Sequence, residues 1–289
     1  MFSILEMLGR SCPQIDVVDI GAMMLPGSKG PTYRPLMKND VARVVGFEPV
    51  QAECDKLNTL GHKGHQYLPY FIGDGSERTF YLTNQSMTAS LYKPNDDLLR
   101  RFNNLLELTT TVSTSKVQTK RLDDIPEIAS IDYIKCDVQG AELDMLRGAT
   151  RHLANVTVLD LEVEFVPMYE GQPLFADVDA FLREQGFLLH TLLGPMGRAF
   201  KPVVADNNIN RGVRQVLWSD VLYVRDFTKL DRLSAEQLLK MAIVLHEVYG
   251  SIDLAQVCLY HYDLKSKAGL WPVYMKRLTG KTATVPPVV

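Results

Sequence analysis

A chain of 289 residues, 46% of them hydrophobic and 22% charged, is long enough to bury a sizeable core and has the ordinary balance of a globular protein, which argues against a disordered or fibrous chain. A formal net charge of −3 shows no basic excess of the kind that meets nucleic-acid phosphates, so no nucleic-acid partner is expected.

A βα rhythm runs through the first two thirds of the chain. Runs at 16–20, 43–47, 67–72, 131–136 and 156–163 are rich in Val, Ile, Leu and Tyr, as strands buried on both faces are. The first, in VVDIGA, ends in Asp19 and Gly21, and the second, in VVGFEP, ends in Glu48. Residues 73–124 break the rhythm. Asp74-Gly75 with 79–83 reads as a turn and a short extra strand, 96–108 as a helix, and 116–122 as another alternating strand. Such an insertion reads either as a wall that shapes substrate specificity or as a plain structural excursion.

The stretch IDYIKCDVQGAELDMLRGA at 131–149 carries a buried strand to Asp137 and then turns helical. Leu143, Leu146, Ala149 and Leu153 recur every three or four residues, with Glu142 and Asp144 early and Arg147 and Arg151 late, as the helix dipole favours. An amphipathic helix at 175–185 and strands at 187–191 and 215–224 follow. Between the two strands, residues 192–211 hold Gly194, Pro195, Gly197 and three asparagines, and read as a flap. Past Asp226, Ser234 and Gln237 form a capping box. Leu238, Leu239, Ala242, Leu245 and Val248 make one helical face ending at Gly250, a second helix starts near Ser251, and TATVPPVV at the end reads as a loose tail. The expected division is a main domain over 1–226 and a C-terminal helical extension over 227–289.

The four cysteines, Cys12, Cys54, Cys136 and Cys258, form no CxxC pair, and no histidines cluster at metal-ligand spacing. Free thiols in a reducing cytosol are the expectation. MFSILEMLGR lacks the pattern of a signal peptide, and no run reaches the ~18 apolar residues of a membrane span, so a cytoplasmic protein without a membrane partner is expected.

In an open parallel sheet, ligands sit in the crevice beyond the carboxyl ends of the strands, so Asp19, Glu48 and Asp137 would share one pocket. Gly21 lets the backbone approach a ligand closely, and Asp19 accepts hydrogen bonds from an amine or hydroxyl. Met23 and Leu25 stand where a nucleotide loop usually adds glycines. Glu48 suits the two hydroxyls of a ribose, although it follows Asp19 by 29 residues rather than the ~20 of a dinucleotide fold; the alternative is a solvated loop glutamate. Asp74 reads equally as a contact to an adenine amine or as a simple Asp-Gly turn. An NAD-dependent oxidoreductase is disfavoured by the lack of GxGxxG and by Asp19 just before the glycine, where a pyrophosphate would be repelled. A non-catalytic binding module that retains the fold is the rival outside enzymes, on the strength of Met23 and Leu25.

VVDIGA, GFEPV, YFIGDG, the TKRLDDI and IDYIKCDVQGAELDMLRGA block, LEVEFVPMYEGQPLFADVDAFLREQGF and WSDVLYVRD together resemble the FkbM family of S-adenosylmethionine-dependent methyltransferases, from about Asp16 to Asp226. The resemblance implies a class I methyltransferase fold: an α/β, Rossmann-like, seven-stranded sheet with helices on both faces and the last strand antiparallel. It also implies S-adenosylmethionine as cofactor and O-methylation of a hydroxyl on a sugar or secondary metabolite. Residue by residue, Asp19, Gly21 and Ala22 match the first cofactor loop, Glu48 the ribose acid, Asp74 and Gly75 the adenine side, and Asp137 with Gly140 and Glu142 the fourth-strand motif beside the methyl group. The departure is MMLPGSKGPTYRP after Ala22, longer than the family's short glycine turn, whose Tyr33 and Arg34 are placed to fold over the methionine end or the substrate.

Methyl transfer needs an oxygen nucleophile aligned with the methyl carbon and a base for its proton. Asp137 is the first candidate to face the reacting centre, with Glu164 and His190 as alternative bases. The plainer readings are that Glu162 and Glu164 orient loops, that His190 is structural, and that Glu142 caps its helix. Nothing in the spacing demands a metal, although several carboxylates are compatible with magnesium. The expected partner is a small-molecule or glycan acceptor, and the C-terminal apolar stripe packs on the chain's own sheet or on a second copy in a homodimer.

Overall fold

The computed structural model describes residues 2–24, 27 and 30–281; Leu25 and the expected tail at 282–289 lie outside the described residues. The chain opens with a short helix α1 (Ile4–Leu8), then β1 (Ile15–Ile20), α2 (Arg34–Lys38), β2 (Ala42–Phe47), α3 (Gln51–Thr59) and β3 (His65–Leu68). The insertion holds β4 (Glu77–Thr83), α4 (Asp96–Leu99), α5 (Leu105–Thr109) and β5 (Thr111–Gln118). The rhythm resumes with β6 (Tyr133–Cys136), α6 (Glu142–Arg147), α7 (Thr150–Leu153), β7 (Val158–Glu164), α8 (Phe175–Glu184), β8 (Phe187–Met196) and β9 (Trp218–Arg225). Three helices close the described chain: α9 (Ala235–Glu247), α10 (Ile252–Ser266) and α11 (Leu270–Thr279). None of the helices is long and apolar enough to cross a membrane among the described residues.

Seven strands form one sheet in the order β3-β2-β1-β6-β7-β9-β8, and β4 and β5 pair as a separate antiparallel ribbon. The sheet is parallel except for β9, which runs against both β7 and β8. This is the class I methyltransferase sheet implied by the resemblance. Because chain order reverses between β1 and β6, the crevice at their carboxyl ends is the topological switch point where such sheets bind ligands.

Alternate residues of each strand face opposite layers. Val18, Ile20, Ile134, Cys136, Leu159 and Leu161 pack under α6 and α8 through Leu143, Leu146, Val178 and Leu182. On the other face Val17, Val44, Tyr133, Val158 and Leu222 meet α2, α3 and above all α9. The capping box of Ser234 and Gln237 is formed as expected. The one-sided stripe is not: every residue from Leu238 to His246 is buried, because α10 and α11 cover the face of α9 that turns away from the sheet. The extension therefore supplies the middle of one whole layer.

Two expected helices are broken. The one at 96–108 stops at Leu99, since the backbone of residues 101–103 is taken by the 199–203 segment, with Lys201 N–H donating to Arg101 O at 2.8 Å and Asn103 N–H to Ala199 O at 3.2 Å. The flap is thus docked on the insertion, with Phe102 and Phe200 rings 4.5 Å apart. The helix after Asp137 breaks at Gly148, where a Cβ would strike the Gly73 carbonyl.

Candidate functional site

Strand register arranges acids in two rows across the sheet face that carries α9. In the deeper row Asp19 of β1 pairs with Lys135 of β6, and Lys135 with Asp160 of β7. Toward the mouth lie Asp137, just past β6, then Glu162 of β7 opposite Asp220 of β9. Gly21 makes the rows possible. Its φ of +77° is a left-handed conformation, and a side chain there would strike the Asp137 carbonyl, so only glycine lets the β1 and β6 ends approach this closely.

In the deeper row, Asp19 Oδ2 accepts from Tyr33 OH at 2.7 Å, while Oδ1 is buried without a hydrogen bond, 3.9 Å from Lys135 Nζ. Burial raises the Asp19 carboxyl above its ordinary value, with Lys135 and Tyr33 pulling the other way. Asp160 Oδ2 accepts from Tyr249 OH at 2.8 Å, and Tyr249 is 2.6 Å from Tyr133 OH, which is 3.2 Å from Thr32 Oγ1. The long loop after Ala22 and the end of α9 meet here. Lys135 is half-buried, which disfavours its charge, yet Asp137, Asp19 and Asp160 together keep the ammonium firmly protonated.

At the mouth, Gln139 bridges the acids. Its Nε2 donates to Asp137 Oδ1 at 2.8 Å and to Glu162 Oε2 at 2.5 Å, while its Oε1 accepts from Tyr169 OH at 2.9 Å. Ser90 from the insertion donates to Gln139 O at 2.6 Å, and Tyr169 also reaches Thr88 O at 3.1 Å. Burial works against ionising Asp137, but Lys135 at 3.8 Å, with hydrogen bonds from Glu162 and Gln139, holds it below the usual carboxylate range. Burial beside Asp137 pushes Glu162 well up, so the two neighbouring carboxyls are driven in opposite directions.

The expected site residues divide. Asp19, Gly21 and Asp137 converge as described. Ala22 N–H donates to Phe47 O at 3.1 Å, which seats it beside the end of β2, and Glu48 follows directly, buried, with Oε1 accepting from Val50 N–H at 2.9 Å. Burial raises the Glu48 carboxyl. Asp74 closes its own turn, Oδ1 accepting from Ser76 Oγ at 2.5 Å and Ser76 N–H at 2.9 Å, and these bonds hold it below its ordinary value. Gly75 N–H donates to Thr119 Oγ1 at 3.1 Å, so this turn leans on the end of β5.

Glu164 is buried, accepts from Gln172 Nε2 at 3.0 Å, and is pushed well up by burial and by Glu142. Glu142 accepts from Val138 N–H at 2.9 Å, and burial pushes it up to about 8. His190 is not brought to the site. It stands on β8, the outermost strand, 2.6 Å from Ser251 Oγ, with burial lowering its basicity. Sequence reading missed Lys135, Gln139, Asp160, Asp220 and Tyr249. The period of two was a usable clue: 135 and 137, 160 and 162, and 220 with 222 each share the face of a strand. Among the described residues, no group of three or more His, Cys, Asp or Glu side chains is arranged to hold a metal ion. The four cysteines are free thiols.

The family model of the methyltransferase FkbM domain matches residues 19–189. Among solved structures, methyltransferase FkbM from Methylobacillus flagellatus KT is similar at 16% identity over 73% of this chain and 43% of that one, with a TM-score of 0.41, so this chain spans less than half of that protein. A putative methyltransferase from Thermoplasma acidophilum is similar at 6% identity, 74% and 69% coverage and a TM-score of 0.36. For a SAM dependent methyltransferase from Aquifex aeolicus the values are 13% identity, 76% and 87% coverage and a TM-score of 0.32. No curated protein matches. The matched span covers more than half of the chain, opening at Asp19 and taking in Glu48, Asp137 and Glu162 while Asp220 and Tyr249 lie beyond it, and the chain belongs to the FkbM methyltransferase family.

Proposed function

We propose that this chain transfers a methyl group from S-adenosylmethionine to a hydroxyl of a small molecule or glycan. The observation that carries the reading is the approach of the β1 and β6 ends at Gly21 beside Asp19, whose Oδ1 is buried without a hydrogen bond, and beside Glu48, which spends one oxygen on Val50. A buried acceptor without a donor is costly, by roughly 1–3 kcal/mol, and is relieved by a ligand that donates to it. Asp19 suits the ammonium of the methionine end and Glu48 the ribose hydroxyls. When bound, the cofactor supplies a methyl group on a positively charged sulfur. Asp137, kept ionised by Lys135, would supply a fixed negative charge toward that sulfur. The acceptor then enters over β7 and β9, beside the 86–92 segment, whose Ser90 holds Gln139, and the 199–203 segment docked on residues 101–103.

Calorimetric titration tests the reading. S-adenosylhomocysteine is expected to bind and NAD to give no heat. Glu48→Ala, which removes charge-assisted hydrogen bonds, should weaken S-adenosylhomocysteine by ~1.5–3 kcal/mol without loss of folding. A folded protein that binds no S-adenosylhomocysteine ends the proposal, and unchanged affinity in the variant removes Glu48 from the site.

A further inference from the structure

A base for a hydroxyl proton works best when its own acidity lies near the working pH and when a lone pair is free to point at the substrate. Most acids of this site fail one condition or both. Asp137 is held strongly ionised, one oxygen taken by Gln139 and the other turned to Lys135. Glu162 receives Gln139 and is pushed well up by burial, Glu164 is buried against Gln172, and Asp160 receives Tyr249. Asp19 and Glu48 are given to the cofactor in the reading above, which leaves Asp220. It is half-buried at the mouth, and no side chain among the described residues donates to it or pairs with it.

We propose that Asp220 is the general base of this site, the carboxylate on the acceptor side that takes the hydroxyl proton as the methyl group is transferred. The inference rests on the methyl-transfer reading above. Register puts Asp220 directly across from Glu162 and beside Leu193 of β8. Two inter-strand spacings of about 4.8 Å separate β9 from β6, so Asp220 and Asp137 stand roughly 10 Å apart on this face, with Glu162 of β7 between them. Asp220 thus stands on the far side of Glu162 from Asp137, where an acceptor hydroxyl rather than the cofactor would meet it. In the step, the hydroxyl oxygen forms a bond to the methyl carbon. The carbon–sulfur bond breaks with its electron pair left on sulfur, and the O–H proton passes to the Asp220 carboxylate. The methyl ether, the neutral thioether and a protonated Asp220 account for every atom and charge.

The groups that face Asp220 are Asp160 and Glu162 from β7 and Asp137 and Lys135 from β6; its neighbour on β8 is apolar. Burial, then Asp160 and Asp137, push the carboxyl up to about 7 against the opposing pull of Lys135, which suits a base working near neutral pH.

The test uses two probes, S-adenosylmethionine and S-adenosylhomocysteine, whose sulfurs are charged and neutral respectively. A carboxylate near the transferred methyl distinguishes them only when ionised. In the full chain, the preference for S-adenosylmethionine should grow about tenfold between pH 5.5 and 8.5. Asp220→Asn should lose most of that growth while binding S-adenosylhomocysteine within threefold of wild type, and Asp220→Glu should keep it. Labelled methyl transfer to a panel of methyl hexopyranosides gives the chemical readout: for any compound that accepts label, Asp220→Asn should lower kcat about 10²-fold. An asparagine variant that keeps the wild-type pH dependence or the wild-type kcat overturns the assignment. A wild-type protein that binds neither probe instead overturns the cofactor reading beneath it.

Discussion

At the scale of single residues, the site combines groups that keep a charge with groups that give it up. Lys135 sits between Asp19 and Asp160 in the deeper row and also reaches Asp137, so one cation serves three carboxylates. Burial pushes Glu142, Glu162 and Glu164 up toward the neutral form, since an unpaired buried charge is costly. Glu142 shows the consequence for stability. An exposed carboxyl ionises near 4.5, whereas burial pushes the folded protein's Glu142 up to about 8. The folded state therefore holds an extra proton between those values. Its stabilising effect is complete below about pH 4.5 and is lost as the pH rises through about 8. Glu142→Gln cannot ionise, so its melting temperature should fall less than that of wild type between pH 6 and 9, by several degrees. Parallel melting curves over that range would show that Glu142 is already ionised in the folded protein. Gln139 was as visible in the sequence as Asp137, but its bridging role was not, because it depends on Glu162, 23 residues on, and on Tyr169, 30 residues on.

At the scale of elements, α9 is anchored to the sheet by both apolar and polar contacts. Leu238, Met241, Ala242 and Leu245 fill the layer over β1, β2, β6 and β7. At the amino ends of the strands, Lys240 reaches Asp132 at 3.0 Å and Glu236 at 2.9 Å, with only 10% of its side chain exposed. Asp132 in turn accepts from Asp16 N–H at 2.8 Å, and Asp16 is paired with Arg43 of β2. Lys240→Ala would leave Asp132 buried without its cation, a loss of ~3 kcal/mol. Urea denaturation is the measurement, and a loss below about 1 kcal/mol would mean that the pair is solvated. The capping box at Ser234 was readable because it is local, with partners three residues apart. The breaks at 100–104 and Gly148 were not, because the groups that interrupt those helices come from the flap and from Gly73.

At the scale of the whole molecule, the helices after Asp226 stand where a layer of the fold must be. Glu247 at the end of α9 accepts from Ser3 Oγ and from Ile4 N–H at the start of α1, tying α1 to α9. Tyr249 brings the same segment to Asp160 in the site. A chain ended after Asp226 would expose Val17, Val44, Tyr133, Val158 and Leu222, a contiguous apolar face. It should aggregate on expression and bind S-adenosylhomocysteine weakly at best. A truncated protein that is soluble, monodisperse and binds as wild type does would make the segment a dispensable appendage. The sequence by itself determined what depends on neighbours along the chain: the alternation of buried strands and helices, the acids at three strand ends, the glycine at 21 and the family resemblance. The tertiary structure decided which acids share a pocket, which of them keep a proton and which helices end early. Those outcomes depend on residues brought within a few ångströms by strand order and register, and separation along the chain does not encode that proximity.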